Sequence, residues 1–331
     1  MRFGNLRSRL IFSILLGLAV VVGLLAYGNF AGVAGELKDF RWSYVPIILG
    51  LTLFNYALRF AKWDYYLRLT GLARVPRWDS LLIFFSGLSM TITPGKIGEW
   101  LKSYFLRERY GAPVSRTAPI VVAERLTDGF GMILLSAGGL ILIQRGWVVL
   151  VVAAILGSML VTAFRYRPVV RGSIGLITRI PFARRHTRFI VEFYQSAFVL
   201  FSPRALTIGI AIGFVSWLGE GLAMYYVLRG LGAENGWELV IQGIFILSIT
   251  TLAGAVFFVV PGGLGVAEGG ITGLSQVLTD LSREAAAAGA LLIRLCTLWF
   301  GVGLGVLALV VLLRRTAAVD VEQPAAMAES P

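Results

Sequence analysis

The residues of this chain that could do chemistry sit inside apolar runs. Glu124, Arg125 and Asp128 interrupt Thr117–Ile143, Glu220 stands in Val215-Ser-Trp-Leu-Gly-Glu-Gly-Leu, and Arg294 lies within Glu284–Leu313. Each such charge costs at least ~2.5–3.5 kcal/mol at the centre of a membrane helix, so it implies function or mutual pairing. Arg125 and Asp128 are three apart and Glu124 and Asp128 four apart, spacings that bring side chains together on one helix face. Two further stretches share a pattern, Thr93-Pro94-Gly95-Lys96-Ile97-Gly98-Glu99-Trp100 and Pro261-Gly262-Gly263-Leu264-Gly265-Val266-Ala267-Glu268. Proline removes an amide donor and glycine lets the chain turn. A helix restarting after such a break offers free amides and the positive end of its dipole, which suit a phosphate or carboxylate. Lys96 lies beside one such end, and Glu99 and Glu268 belong to the same regions. The chemistry indicated is the holding of an anionic head group in a polar cavity, with arginines on its phosphate and acids balancing charge. A purely structural ion network, and Pro-Gly pairs that merely turn surface loops, are the competing readings.

Other chemistry lacks its residues. The single cysteine, Cys296, excludes an internal disulfide framework and a cysteine zinc cluster, and the single histidine, His186, lies in a basic loop. Neither a phosphate-binding G-x-x-x-x-G-K-[ST] loop nor an Asp-x-x-Asp metal-phosphate motif is present. No catalytic residue, metal or cofactor is expected. The chain is 57% hydrophobic and 15% charged, with a mean hydropathy of +0.80, which makes it an integral membrane protein. Its net charge of +12 comes from arginines scattered between apolar runs, a pattern that suits cytoplasmic loops and not nucleic acid.

Apolar segments fall at Leu10–Phe30, Tyr44–Ala61, Ser80–Thr93, Thr117–Ile143, Trp147–Phe164, Ala205–Leu228, Trp237–Val260, Gly262–Leu278 and Glu284–Leu313. The first is too long for a cleaved signal and reads as a retained span. Ser80–Thr93 is too short to cross. Lys62, Arg68, Arg74 and Arg77 precede it and Lys102, Arg107, Arg109 and Arg116 follow, so both flanks read as cytoplasmic and the segment as a re-entrant hairpin. The basic linker 165–203 and Arg314-Arg315 also belong inside. The expected fold is all-α: about six full spans plus two Pro-Gly-broken re-entrant hairpins, or eight spans, with both termini cytoplasmic. Within the linker, Thr187–Leu200 carries polar residues at helical spacing, which fits either an interfacial helix or a shorter buried one. One membrane domain, 1–316, is followed by a polar tail, 317–331, expected to be disordered.

Two halves align. Tyr65-Tyr66-Leu-Arg-Leu-Thr-Gly-Leu resembles Tyr225-Tyr226-Val-Leu-Arg-Gly-Leu-Gly, and each is followed by a Trp, an apolar arm, a Pro-Gly break and a long apolar segment. Arg125 follows Pro94 by 31 residues and Arg294 follows Pro261 by 33. Repeat one, about 42–143, and repeat two, about 205–313, then have opposite orientations, and paired broken helices point to a binding site between them. In that arrangement Arg125 and Arg294 would meet a phosphate from opposite leaflets.

The blocks TPGKIGEWLKSYFLRERYGAPVSRTAPIVVAERLTDG and PGGLGVAEGGITGLS resemble the lysylphosphatidylglycerol synthase transmembrane-region family of flippase-like proteins, over about Arg41 to Leu313. The family's motif residues fall here on Pro94, Gly95, Gly98, Glu99, Glu124, Arg125, Asp128, Pro261, Gly262, Gly263, Gly265, Glu268 and Arg294. The resemblance implies movement of an aminoacylated phospholipid across the bilayer, or of a polyprenyl-phosphate-linked head group, in the cytoplasmic membrane of a prokaryote. The soluble domain that makes the aminoacylated lipid in relatives is not expected, since 16 residues follow Arg315. A transporter is therefore the first reading, with Lys96, Glu99, Glu124, Arg125, Asp128, Glu220, Glu268 and Arg294 as its substrate-binding residues. Membrane lipids, and a separate lipid-modifying enzyme, are the expected partners. A lipid-modifying transferase and a scaffold for such an enzyme are the alternatives.

Overall fold

The computed structural model describes residues 3–93, 97–141, 151–152, 187–256 and 261–328, with residues 155, 157, 159 and 162 besides. Among these there is no strand. The helices are α1 (Phe3–Tyr27), α2 (Phe30–Asp39), α3 (Val45–Leu69), α4 (Arg77–Leu88), α5 (Ile97–Tyr110), α6 (Val114–Ile141), α7 (Thr187–Leu200), α8 (Pro203–Gly230), α9 (Trp237–Val256), α10 (Val266–Thr279), α11 (Arg283–Arg294) and α12 (Phe300–Ala328). The last of these takes in most of the tail that the sequence reading leaves without structure. Among the described residues, Trp42–Leu69, Pro203–Gly230, Trp237–Ala255 and Arg283–Arg315 are long and apolar enough to cross a membrane. Leu15–Tyr27 and Phe30–Asp39 add one more as a pair bent by 92°. The chain is an α-helical membrane protein.

Local chemistry sets the helix starts. Pro203 opens α8 behind Ser202, whose hydroxyl accepts from the Ala205 amide at 3.4 Å. Ser282 caps α11 by accepting from the Ala285 amide at 3.0 Å. A serine acceptor with proline at the first helical position satisfies or removes amides that the helix itself leaves unpaired.

Both Pro-Gly breaks separate antiparallel helices. Asp79, in the first turn of α4, meets Arg109 at 3.4 Å and accepts from the Tyr110 hydroxyl at the far end of α5. Gln242, early in α9, donates to the Leu278 carbonyl at the end of α10 at 2.6 Å. At the second break Gly262, Gly263 and Gly265 have φ of 59°, 67° and 85°, left-handed values that glycine adopts without strain. A side chain at Gly262 would lie 3.6 Å from the Ile92 Cα and 3.7 Å from the Thr91 carbonyl, on the shoulder of the first break. Gly262 therefore lies against Thr91 and Ile92, just before the first break. Pro94, Gly95 and Lys96 lie outside the described residues.

Polar contacts gather at two ends of the bundle. At one, Tyr27 bonds Gln276 at 3.3 Å, Arg229 bonds the Tyr225 hydroxyl at 3.0 Å, and Arg41 donates its amide to Gly230 at 3.2 Å. At the other, Arg68 pairs with Asp64, Arg109 and Arg315 with Asp79, and the Ser115 hydroxyl bonds Glu192 of α7. Buried apolar side chains form one cluster around each hairpin, Leu82, Ile83 and Leu106 in one, Leu247, Ile271 and Ile293 in the other. Central α8 packs on α3, α6 and α9 and ties the two together.

Candidate functional site

Between the clusters lies a cavity of about 140 Å³. Its walls come from both hairpins, through Leu88 and Thr91 of the first and Gly254, Gly262, Gly263 and Ala267 of the second. The charged groups on it are Arg59 of α3, Arg125 of α6, Glu220 of α8 and Arg294 of α11, and Tyr56 and Trp217 lie beside them. A phosphate-sized group fits that volume.

Each cationic wall has a local cause. Arg294 ends α11, and the next five residues, Leu295–Trp299, form a π turn. Such turns disrupt the regular ladder and occur at functional sites. Here the Tyr56 hydroxyl donates to the Thr297 carbonyl at 2.7 Å, and Thr297 lines the cavity. Arg294 is anchored on one edge, where Nε donates to Glu268 at 2.5 Å and Nη2 to the Gly262 carbonyl at 2.8 Å. The second Glu268 oxygen accepts from the Gly265 amide at 2.6 Å. One carboxylate thus caps α10, holds Arg294 and fixes the second break. Arg59 lies 5.6 Å from the Trp217 ring centre, within cation–π range, and 4.0 Å from Asp128.

The sequence-derived residues divide. Arg125, Glu220 and Arg294 come together on the cavity, with Glu268 directly behind Arg294. Arg125 and Arg294 share one cavity. Glu124 and Asp128 are not among the lining residues. Lys102 pairs with Glu124 at 2.8 Å and sits 4.2 Å from the Trp63 ring centre, while Lys62 pairs with Asp128 and bonds Thr127 at 3.3 Å. Lys62 is 0% exposed and Lys102 6%. The sequence reading places both on the cytoplasmic flanks of the first hairpin, whereas in the structure they are counter-ions buried among helices. The Glu99 side chain and Lys96 lie outside the described residues.

Arg59 and Tyr56 were missed. Both belong to Asn55-Tyr56-Ala-Leu-Arg59-Phe-Ala-Lys62, where charges three apart inside an apolar run were the available signal. They were read as part of an ordinary span and its basic flank.

A family described as the lysylphosphatidylglycerol synthase TM region matches residues 14–305, and the chain belongs to that family. No curated protein matches the chain.

Proposed function

We propose that this family member binds the phosphate-bearing head group of a membrane lipid in the Arg59–Arg125–Arg294 cavity and carries it across the bilayer, leaving the lipid's tails in the hydrocarbon. The lipid is an anionic or aminoacylated phospholipid or a polyprenyl-phosphate-linked species. The observation that carries this reading is the convergence of three arginines from three helices on one cavity where two broken hairpins meet. Guanidinium groups bind phosphate through paired hydrogen bonds, and a low-dielectric surrounding strengthens each of them. Backbone without helical bonding is tolerated at membrane depth where it lines such a cavity.

The proposed topology has six spans, cytoplasmic termini and two re-entrant hairpins entering from opposite sides. The two polar ends of the bundle support it. The end carrying Asp64, Asp79, Arg109, Glu192 and Arg315 is the cytoplasmic one. An inverted repeat gains support from α3 and α8, which exchange bonds mid-helix. Asn55 Nδ2 donates to the Ser216 carbonyl at 3.0 Å, and Ser216 Oγ donates to the Asn55 carbonyl at 3.3 Å. Those positions differ by 161, as do Arg59 and Glu220, and the two Tyr-Tyr pairs differ by 160. Arg59 with Glu220, and Arg125 with Arg294, would then be equivalent pairs around one axis.

Lipid movement tests the proposal. In proteoliposomes with a fluorescent anionic phospholipid, external dithionite bleaches only the outer half of the label unless lipid crosses. Wild-type protein is expected to expose the inner half, and the Arg59→Gln/Arg125→Gln/Arg294→Gln protein is not. Bleaching at the protein-free level with every phosphate lipid tried, by protein that remains folded, would refute transport.

A further inference from the structure

Hydroxyl groups inside helices can donate to the carbonyl one turn back, and Thr52, Thr127, Ser136, Thr250, Thr279 and Thr297 do so. Thr272 and Ser275 of α10 do not. They are 3% and 0% exposed, and neither hydroxyl has a hydrogen-bond partner. Glu268, Thr272, Ser275 and Thr279 follow at intervals of four, three and four, so they share one face of α10. On that face Glu268 meets Arg294 of α11, the helix that packs along α10.

Neither hydroxyl finds a side-chain partner on the neighbouring helix. From Ala285 to Ala290, α11 carries five alanines and Gly289, all buried and none with a polar side-chain atom, and they turn to several neighbours, Gly289 to Val227 of α8 and to Leu231, and Ala287 to Gly28. Buried polar groups without a protein partner are characteristically met by ordered water, and small facing residues leave the most room for it.

We infer that the α10–α11 seam is a water-binding site. Ordered waters join the Ser275 and Thr272 hydroxyls and form a path from the α10–α11 turn, where Ser282 lies, to the Glu268–Arg294 pair. The ligand class is water, and the inference holds whichever lipid the cavity takes. Its consequence is that Arg294 is hydrated at membrane depth from one side, through a passage too narrow for lipid.

Thiol labelling tests it on the whole protein in proteoliposomes. Cys296, the single cysteine, is first replaced by alanine, and Thr272→Cys, Ser275→Cys and Leu307→Cys are made in that background. Leu307 is 65% exposed inside the apolar stretch Arg283–Arg315 and reports reactivity in contact with lipid. A small charged methanethiosulfonate is expected to modify positions 272 and 275 at least about tenfold faster than position 307. Thermal unfolding supplies a second reading that needs no cysteine. Removing a hydroxyl that holds water lowers Tm, whereas removing one buried without a partner raises it. Thr272→Val and Ser275→Ala are expected to lower Tm. Labelling no faster than at position 307, or a raised Tm in both apolar variants, would overturn the inference.

Discussion

Lys62 with Asp128 and Lys102 with Glu124 are ion pairs closed between α3, α5 and α6, with both partners buried. Arg59, Arg125 and Arg294 share their surroundings yet line a cavity, half-buried, where Glu220 is the one acid among the described lining residues. In the first region each charge is answered by a neighbour, and Asp128 also lies 4.0 Å from Arg59. In the second, Arg294 has one edge held by Glu268 and Gly262 while it lines the cavity. On the proposed function, charges buried in one membrane protein do two jobs, and the side chain's neighbours distinguish them better than depth in the bundle does.

The largest expected effect separates these jobs. Lys62→Met leaves Asp128 without its nearest counter-ion, and breaking a buried pair in this way costs about 3–5 kcal/mol. Thermal unfolding in detergent should show that loss, and the double variant Lys62→Met/Asp128→Leu should recover most of it. A single variant as stable as wild type would remove the structural reading of this region.

Cavity arginines should behave in the opposite way. Arg294→Lys and Arg125→Lys keep the charge and lose the planar fork, so lipid transport is expected to fall about tenfold, ~1.4 kcal/mol, with Tm little changed. Equal losses of Tm and transport would mean that the two regions do not differ in kind.

A smaller effect sharpens the cavity's polarity. Glu220→Gln keeps the shape of the side chain and removes a carboxylate that opposes an anion. Retention of an anionic lipid is expected to strengthen a few-fold, on the order of 1 kcal/mol or less. Weakened retention would assign Glu220 to a cationic part of the head group.

The smallest effect lies at the end of the bundle that carries Asp79 and Glu192. The Ser115 hydroxyl and the Arg188 guanidinium hold the Glu192 carboxyl below the usual range. A depressed carboxyl stabilises the fold above its unfolded value, ~4.3, and loses that contribution as pH falls through the lowered one. Acid should therefore loosen α7 from α6 slightly in the wild type. A Glu192→Gln variant with the same slope of Tm against pH would show that this contact contributes nothing.

Much of the fold was legible in local chemistry. Proline and glycine punctuate a chain whatever surrounds them, so both breaks and the arms beside them could be read directly. Arg125 and Arg294 stood out because long apolar runs surround them. Arg59 did not, because it comes two residues before the end of its apolar run, Tyr44–Ala61, where arginines ordinarily reach back to the interface. Lys62 follows that run and Lys102 follows the first break, so both read as flank charges. Glu124 and Asp128 looked like cavity acids until the lysines facing them were located, since an ion pair between positions 22 or 66 residues apart leaves no local mark.

The account turns on whether a lipid phosphate sits among Arg59, Arg125 and Arg294. Native mass spectrometry of the protein released from its own membranes addresses this directly. A phosphate-bearing lipid is expected to stay bound to the wild type under collisional activation and to be lost from the folded Arg59→Gln/Arg125→Gln/Arg294→Gln variant. A triple variant that keeps the same lipid as tightly as the wild type would contradict the account.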